Sequence, residues 1–192
     1  GCFNMKKTLV YGWFGEDNLG DELLLNETLE LLSENKDIEA YVMCSNPLRV
    51  KKNHCVRVAA VAIDGTLKKY IKAILLSPWA IIKCLYQTDN LIIAGGGEIS
   101  DWNYSSTKEM FFLINWFKRR NKKVYLLGVG AGPITKERKY GRFYNVLSKA
   151  DVITVRDEFS KSELNKIGLN NVYKSNDLVT YKTFNGYNIE NT

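Results

Sequence analysis

Apolar residues along this chain alternate between two patterns. Short apolar runs at 7–13, 38–44, 56–63, 91–94, 123–127, 152–155 and 171–174 read as β-strands. The run at 91–94 is apolar throughout, as expected of a strand buried on both faces. Between them lie longer segments whose apolar residues recur every three or four positions, the helical spacing. These are 21–35, 68–86 with a break at Ser77-Pro78, 107–120, 137–149, and 158–167, closed by Gly168. In 21–35, Leu24, Thr28, Leu31 and Leu32 make one face and Glu27, Glu30 and Glu34 the other. In 107–120, Met110, Phe111, Ile114 and Phe117 share a side. Asn46-Pro47 ends the second strand. Strands thus alternate with helices from end to end, which predicts an α/β domain with a Rossmann-like, doubly wound, mostly parallel sheet.

The length suits one domain with a real core. Residues 1–4 precede Met5 and read as a remnant of expression, 5–180 as the Rossmann-like domain, and 181–192 as a tail or the start of a linker. With 45% hydrophobic and 25% charged residues the composition is that of an ordinary globular protein. The net charge of +6, from 27 basic and 21 acidic residues, favours anionic ligands without choosing among them. Basic residues are dispersed in short clusters at 68–69, 118–123 and 136–139. No basic tail accompanies them, so a nucleic-acid partner is not expected.

Cys2, Cys44, Cys55 and Cys84 form no CxxC pair and match no zinc spacing, and His54 is the single histidine. No metal site is expected, and the thiols read as reduced and mostly buried. The apolar run after Lys6-Lys7 is too short for a signal peptide, which suggests a cytoplasmic protein. Residues 72–86 mix Ile74, Leu75, Leu76, Trp79, Ile81, Ile82 and Leu85 with Lys72 and Lys83. Two readings stay open: a helix pair packed on the sheet, or peripheral contact with the inner face of the plasma membrane. The stretch is too broken to span a bilayer.

Chemistry concentrates where apolar runs end in glycine. The stretch 12–25, GWFGEDNLGDELLL, places Gly12, Gly15 and Gly20 between a strand and a helix, an arrangement that can present backbone amides to an anion. Asn18 suits a turn or a ligand hydroxyl, and Asp21 stands where a carboxylate caps a helix. The loop is neither GxGxxG nor a P-loop. A second strand ends in Gly95-Gly96-Gly97, followed by Glu98 and Asp101, carboxylates able to bind sugar hydroxyls or act as a base. A third ends in Gly128, Gly130, Gly132 and Pro133. Arg156 and Asp157 follow the strand at 152–155, and Asp177 follows the last one. Arg156 can clamp a carboxylate or phosphate through its planar fork, or merely pair with Asp157.

Together these residues resemble the N-terminal half of a polysaccharide pyruvyl transferase. The family's G-x-x-N-x-GDE opening is matched by Gly15, Asn18, Gly20, Asp21 and Glu22. Its glycine run with a following acid is matched by 95–97 and Asp101, and its G-x-G-x-GP loop by Gly128, Gly130, Gly132 and Pro133. Its ADxITVRDxxS segment is matched by Ala150, Asp151, Ile153, Thr154, Val155, Arg156, Asp157 and Ser160. A later aspartate aligns with Asp177, where Leu178 replaces the family's proline.

The resemblance implies one half of a glycosyltransferase-B-like pair of Rossmann-like domains. It implies transfer of enolpyruvyl from phosphoenolpyruvate, a co-substrate rather than a bound cofactor, to two hydroxyls of a cell-surface glycan. The products are a cyclic ketal and phosphate. On this reading Arg156, Asp101 and Glu98 are catalytic, Arg156 as anion clamp and the acids, or Asp21, as base or acceptor-orienting groups. Gly15, Asn18, Gly20, Asp21, Gly95, Gly96, Gly97, Gly130, Gly132, Asp157 and Asp177 would line the substrate. The partner would be a glycan or lipid-linked oligosaccharide. The family's second half carries an Arg-x-His element that this chain lacks, so a missing C-terminal domain is expected and the chain alone would be inactive. A nucleotide-sugar glycosyltransferase domain and a non-catalytic glycan-binding module are the alternatives.

Overall fold

A computed structural model describes residues 6–16, 18–34, 38–62, 71, 75, 77–95, 99–102 and 104–175, with 104–106 by backbone alone. Seven parallel strands form one open sheet: β1 (Lys6–Tyr11), β2 (Ile38–Cys44), β3 (Val58–Val61), β4 (Asn90–Ala94), β5 (Lys123–Val129), β6 (Val152–Val155) and β7 (Tyr173–Lys174). Their order is β3-β2-β1-β4-β5-β6-β7, the doubly wound arrangement the alternation predicts. The helices are α1 (Leu19–Ser33), α2 (Pro47–Asn53), α3 (Pro78–Ile82), α4 (Tyr104–Lys118), α5 (Tyr140–Leu147) and α6 (Glu158–Lys166).

Strand side chains alternate between two cores, as the two-residue period of a strand requires. Leu9, Tyr11, Tyr41, Met43, Leu91 and Ile93 face the larger core, with Ile81 of α3, Phe111 and Phe117 of α4, Phe143 of α5 and Leu164 of α6. Val10, Val42, Cys44, Ile92 and Ala94 face the smaller one, with Leu24, Leu25 and Leu32 of α1 and Val50 of α2. Burial pushes the Cys44 thiol up to about 12 and the Cys84 thiol upward too, so both are inert packing groups. Cys55 is exposed.

Several boundaries differ from the sequence reading. The first helix begins at Leu19 because Asn18, not Asp21, is its N-cap. Its buried face is Leu24, Leu25, Thr28 and Leu32, while Leu31 is 42% exposed. Leu25, Thr28 and Leu32 share the i, i+3, i+7 spacing of one face. The α2 helix went unpredicted although Asn46-Pro47 is its start signal: the Asn46 side chain accepts from Arg49 N at 3.3 Å and proline takes the first turn. The segment 137–149 splits into a 3-10 turn, Glu137–Lys139, and α5. Of 68–86, residues 68–70, 72–74 and 76 lie outside the described residues; the rest contains α3 and a π turn, Lys83–Gln87. The expected tail at 181–192 also lies outside them.

Candidate functional site

The crossovers leave β1 and β4 towards opposite sides of the sheet, so the switch point falls between these two strands. Ligands of open α/β sheets bind at the carboxyl edge beside such a point. The loops after β1, β4, β5 and β6 all emerge there.

The loop after β1 satisfies its own polar groups. Asn18 Oδ1 accepts from Gly20 N at 3.1 Å, and Asn18 Nδ2 donates to Asp21 Oδ2 at 2.8 Å. Glu22 Oε1 accepts from Gly15 N at 2.7 Å. Gly15 has φ +89°, and a Cβ there would stand 2.7 Å from the Asn46 carbonyl oxygen, so glycine is required on both counts. Asn18 occupies the Gly20 amide, and Asp21 and Glu22 add negative charge to the first turn, which disfavours an anion at the α1 N-terminus. Burial raises the Asp21 carboxyl above the usual range; the Asn18 hydrogen bond opposes this and the Glu22 charge adds to it. Asp21 Oδ1 has no partner among the described residues.

His54 joins this loop. Its Nε2 lies 2.7 Å from Glu22 Oε2 and its Nδ1 lies 2.9 Å from Asn26 Oδ1, with the imidazole side chain only 5% exposed. The ring therefore backs the carboxylate that holds Gly15. Sequence reading set His54 apart from the motif because Glu22 is 32 residues away and the helix that delivers it, α2, was unseen. The Asn46-Pro47 start signal could have found it.

After β4, Gly95 has φ +40° and its Cβ position is filled by Leu24 of α1, 2.3 Å away. Gly96, Gly97 and Glu98 lie outside the described residues, as does Asp177. Ile99 pairs with Ala131 in a short parallel bridge that ties this loop to the one after β5. Asp101 follows, buried, and turns onto that same loop. Its carboxylate accepts from Lys136 N at 2.8 Å, Thr135 N at 3.2 Å and the Thr135 hydroxyl at 3.1 Å. Burial alone would raise the Asp101 carboxyl, but the Lys136 and Thr135 N–H groups, the Thr135 hydroxyl and the Lys139 charge bring it below the ordinary carboxylate range.

The loop after β5 likewise spends its amides on the protein. Ala131 N donates to Ser160 Oγ at 2.9 Å and Ile134 N to Glu163 Oε2 at 2.7 Å. Its glycines allow close approach: Phe159 and Glu163 press on Gly132, and the Arg156 guanidinium lies about where a Cβ of Gly130 would meet it, at 3.1 Å. Arg156 Nε donates to Asp157 Oδ2 at 3.2 Å, while Asp157 Oδ1 caps α6 by accepting from Ser160 N at 2.7 Å. Burial opposes ionisation of Asp157, but the Ser160 and Arg156 hydrogen bonds outweigh it and lower its carboxyl. The two Nη groups of Arg156 have no partner among the described residues.

Arg156, Asp157, Asp101, Gly130, Gly132, Gly95, Gly15, Asn18, Gly20 and Asp21 thus all belong to carboxyl-edge loops. No cluster of three or more potential metal ligands occurs among the described residues. A groove of about 490 Å³ between α5 and the α6–β7 turn lies at the opposite edge, and its one acid, Asp151, is committed to Lys118 and Lys123.

A doubly wound sheet with glycine-bearing loops gathered at its switch point defines a domain of the Rossmann-like class. The family model for polysaccharide pyruvyl transferase matches residues 18–189, and the chain belongs to that family. No curated protein shows significant sequence similarity to it. Among solved structures, a protein described as a candidate UDP-N-acetylglucosamine 2-epimerase from Listeria monocytogenes aligns with a TM-score of 0.51 and 10% identity, over 86% of this chain and 44% of that one. A functionally uncharacterised protein from Klebsiella pneumoniae aligns with a TM-score of 0.48 and 16% identity, over 98% of this chain and 56% of that one. The chain therefore spans about half the length of the structures it matches.

Proposed function

We propose that this domain is the acceptor side of a pyruvyl transferase that moves enolpyruvyl from phosphoenolpyruvate to a sugar of a cell-surface glycan. In the net reaction two sugar hydroxyls bond to the donor's C2 and each loses its proton. One proton goes to the methylene carbon, making it a methyl, and the other leaves with phosphate. A base is needed near the acceptor, cations near the donor's carboxylate and phosphate, and an acid at the methylene.

The observation that carries this reading is the separation of charge along one edge: among the described residues, Asp21 keeps one oxygen without a partner on the β1 side and Arg156 both Nη groups on the β6 side. We assign Asp21 to the base role and Arg156 to clamping donor anions. A raised carboxyl is better matched to taking a hydroxyl proton near neutral pH than an ordinary one. Asp101 acts as a positioning residue that fixes the loop after β5, and Glu98 remains a second acceptor contact. The acid is expected from a C-terminal half of the glycosyltransferase-B-like type, with the reaction run at the cytoplasmic face on lipid-linked or polymeric acceptors.

The test is phosphate release from phosphoenolpyruvate by the full-length gene product across a panel of such acceptors. Acceptor-dependent release, with the pyruvate ketal found on the glycan, supports the reading. Glycan binding with no release, or turnover with a nucleotide sugar in its place, overturns it.

A further inference from the structure

One flank of the sheet carries an apolar surface that the fold does not cover. Ile71, Leu75, Trp79, Ile82 and Tyr86 are 47%, 78%, 74%, 43% and 55% exposed. Trp79 and Ile82 lie on α3 and Tyr86 on the π turn that continues it, while Ile71 and Leu75 precede the break at Ser77. The opposite side of α3 and its π turn does the packing: Ile81, Cys84 and Leu85 are buried in the larger core. The packed side is what the helix-on-sheet reading of this stretch expects.

The charged residues within this stretch are basic, and the exposed Asp89 follows it. Residues 65–88 contain Lys68, Lys69, Lys72 and Lys83 and no acid. Lys83 is exposed between Ile82 and Tyr86. At the far end of the stretch the Tyr86 ring meets Trp116 edge-on at 5.3 Å, and the Arg120 guanidinium stacks 3.7 Å from Trp116 and 5.1 Å from Tyr86. Arg119 is exposed beside it. In the same cluster Lys118 and Lys123 are neutralised by Asp151, and Lys122 donates to the Tyr86 and Thr88 carbonyls with Asp89 nearby, which leaves Arg119 and Arg120 as its exposed guanidinium groups. Exposed apolar side chains edged by lysine and arginine match the chemistry of an anionic bilayer surface, where side chains enter the acyl boundary and cations meet lipid phosphates. A second copy docked through the same face would set these cations against their own like charges.

We propose that the exposed face of α3 and its π turn, edged by Lys83, Arg119 and Arg120, seats the domain on an anionic membrane surface. No helix among the described residues is long and apolar enough to cross a membrane, so the contact is peripheral. The inference rests on no part of the pyruvyl-transfer reading and is tested without turnover. Full-length protein is sedimented with vesicles of phosphatidylglycerol and phosphatidylcholine, and with vesicles of phosphatidylcholine alone. Partition at least about tenfold higher onto the anionic vesicles is expected, weakening as salt is raised. W79E/I82E should lower it about tenfold by removing the inserted groups, and K83E/R119E should remove the preference for anionic lipid. All four side chains are exposed, and unchanged circular dichroism would certify the folds. Equal partition onto both vesicles, partition unaffected by W79E/I82E, or concentration-dependent self-association that W79E/I82E abolishes would each overturn the proposal.

Discussion

The two sides of the carboxyl edge are built by the same device and end with opposite chemistry. On the β1 side, Glu22 and Asn18 hold backbone amides, and a histidine braces Glu22. On the β5–β6 side, Asp101, Asp157 and Glu163 hold backbone amides, and Arg156 leans on Asp157. Most of the conspicuous acids among the described residues thus hold loop amides. What each side leaves over among those residues differs: a carboxyl oxygen of Asp21 on one, a guanidinium fork on the other. A motif rich in acids is therefore a poor guide to which acid reacts, and hydrogen-bond accounting narrows the choice.

The largest expected effect separates the free fork from the loops around it. Arg156→Ala in the full-length enzyme should lower turnover by about a hundredfold or more, because a cation aimed at developing anionic charge is worth about 3 kcal/mol in a water-excluded site. The melting temperature should barely move, since the side chain is 42% exposed and its ion pair is a surface one. Steady-state phosphate release beside a thermal melt checks both halves. Unchanged turnover would remove the clamp and, with it, the charge separation along the edge.

Asp101 should behave in the opposite way. Asp101→Ala strands the amides of Thr135 and Lys136 and the Thr135 hydroxyl, and should cost about 2–4 kcal/mol of stability. Activity should fall in step with the lost fold and recover partly at lower temperature. A base would give the reverse signature, turnover lost with the melt unchanged. Denaturant unfolding and activity measured on the same samples decide between them.

The fold was largely legible because its signals are local. Short apolar runs gave the strands, three-to-four-residue spacing gave most helices, and the glycine endings marked the carboxyl edge. Family resemblance rested on the same loops. The partners of the motif residues were not legible. Asp21 and Asn18 differ by three positions, and only the geometry decides which one caps α1. Asp101 reaches across to residues 135 and 136, and His54 reaches Glu22 through a helix signalled by a single Asn-Pro pair. Such contacts depend on tertiary packing, which a period along the chain does not encode.

His54 sharpens the comparison on the β1 side. His54→Ala should leave the part-buried Glu22 Oε2 without its partner, with Asn26 free to turn to water, and cost about 1 kcal/mol. The loss should appear first as faster amide exchange at Gly15, whose N–H depends on the other oxygen of Glu22. Exchange at Thr135 and Lys136 should stay unchanged. A uniform rise across both loops would mean that the edge is one unit and the division drawn here is false.

The smallest effect is a control placed at the opposite edge of the sheet. Asp151 binds Lys118 at 2.8 Å, Lys123 at 2.9 Å and Val124 N at 2.9 Å. Burial works against its charge, but these partners hold its carboxyl down at about 2, below the ordinary 3.8. A carboxyl lowered by folding contributes its full stability above its unfolded pKa and loses it as pH falls through the folded one. Asp151→Asn should therefore cost about 1 kcal/mol at neutral pH. The difference in melting temperature from the parent should shrink between pH of about 4 and about 2 and vanish below that. Because Asp151 shares no partner with either loop, Asp151→Asn should combine additively with Asp101→Ala. An interaction larger than about 0.5 kcal/mol between them would show that the carboxyl-edge loops draw on the stability of the whole sheet and not on their own hydrogen bonds.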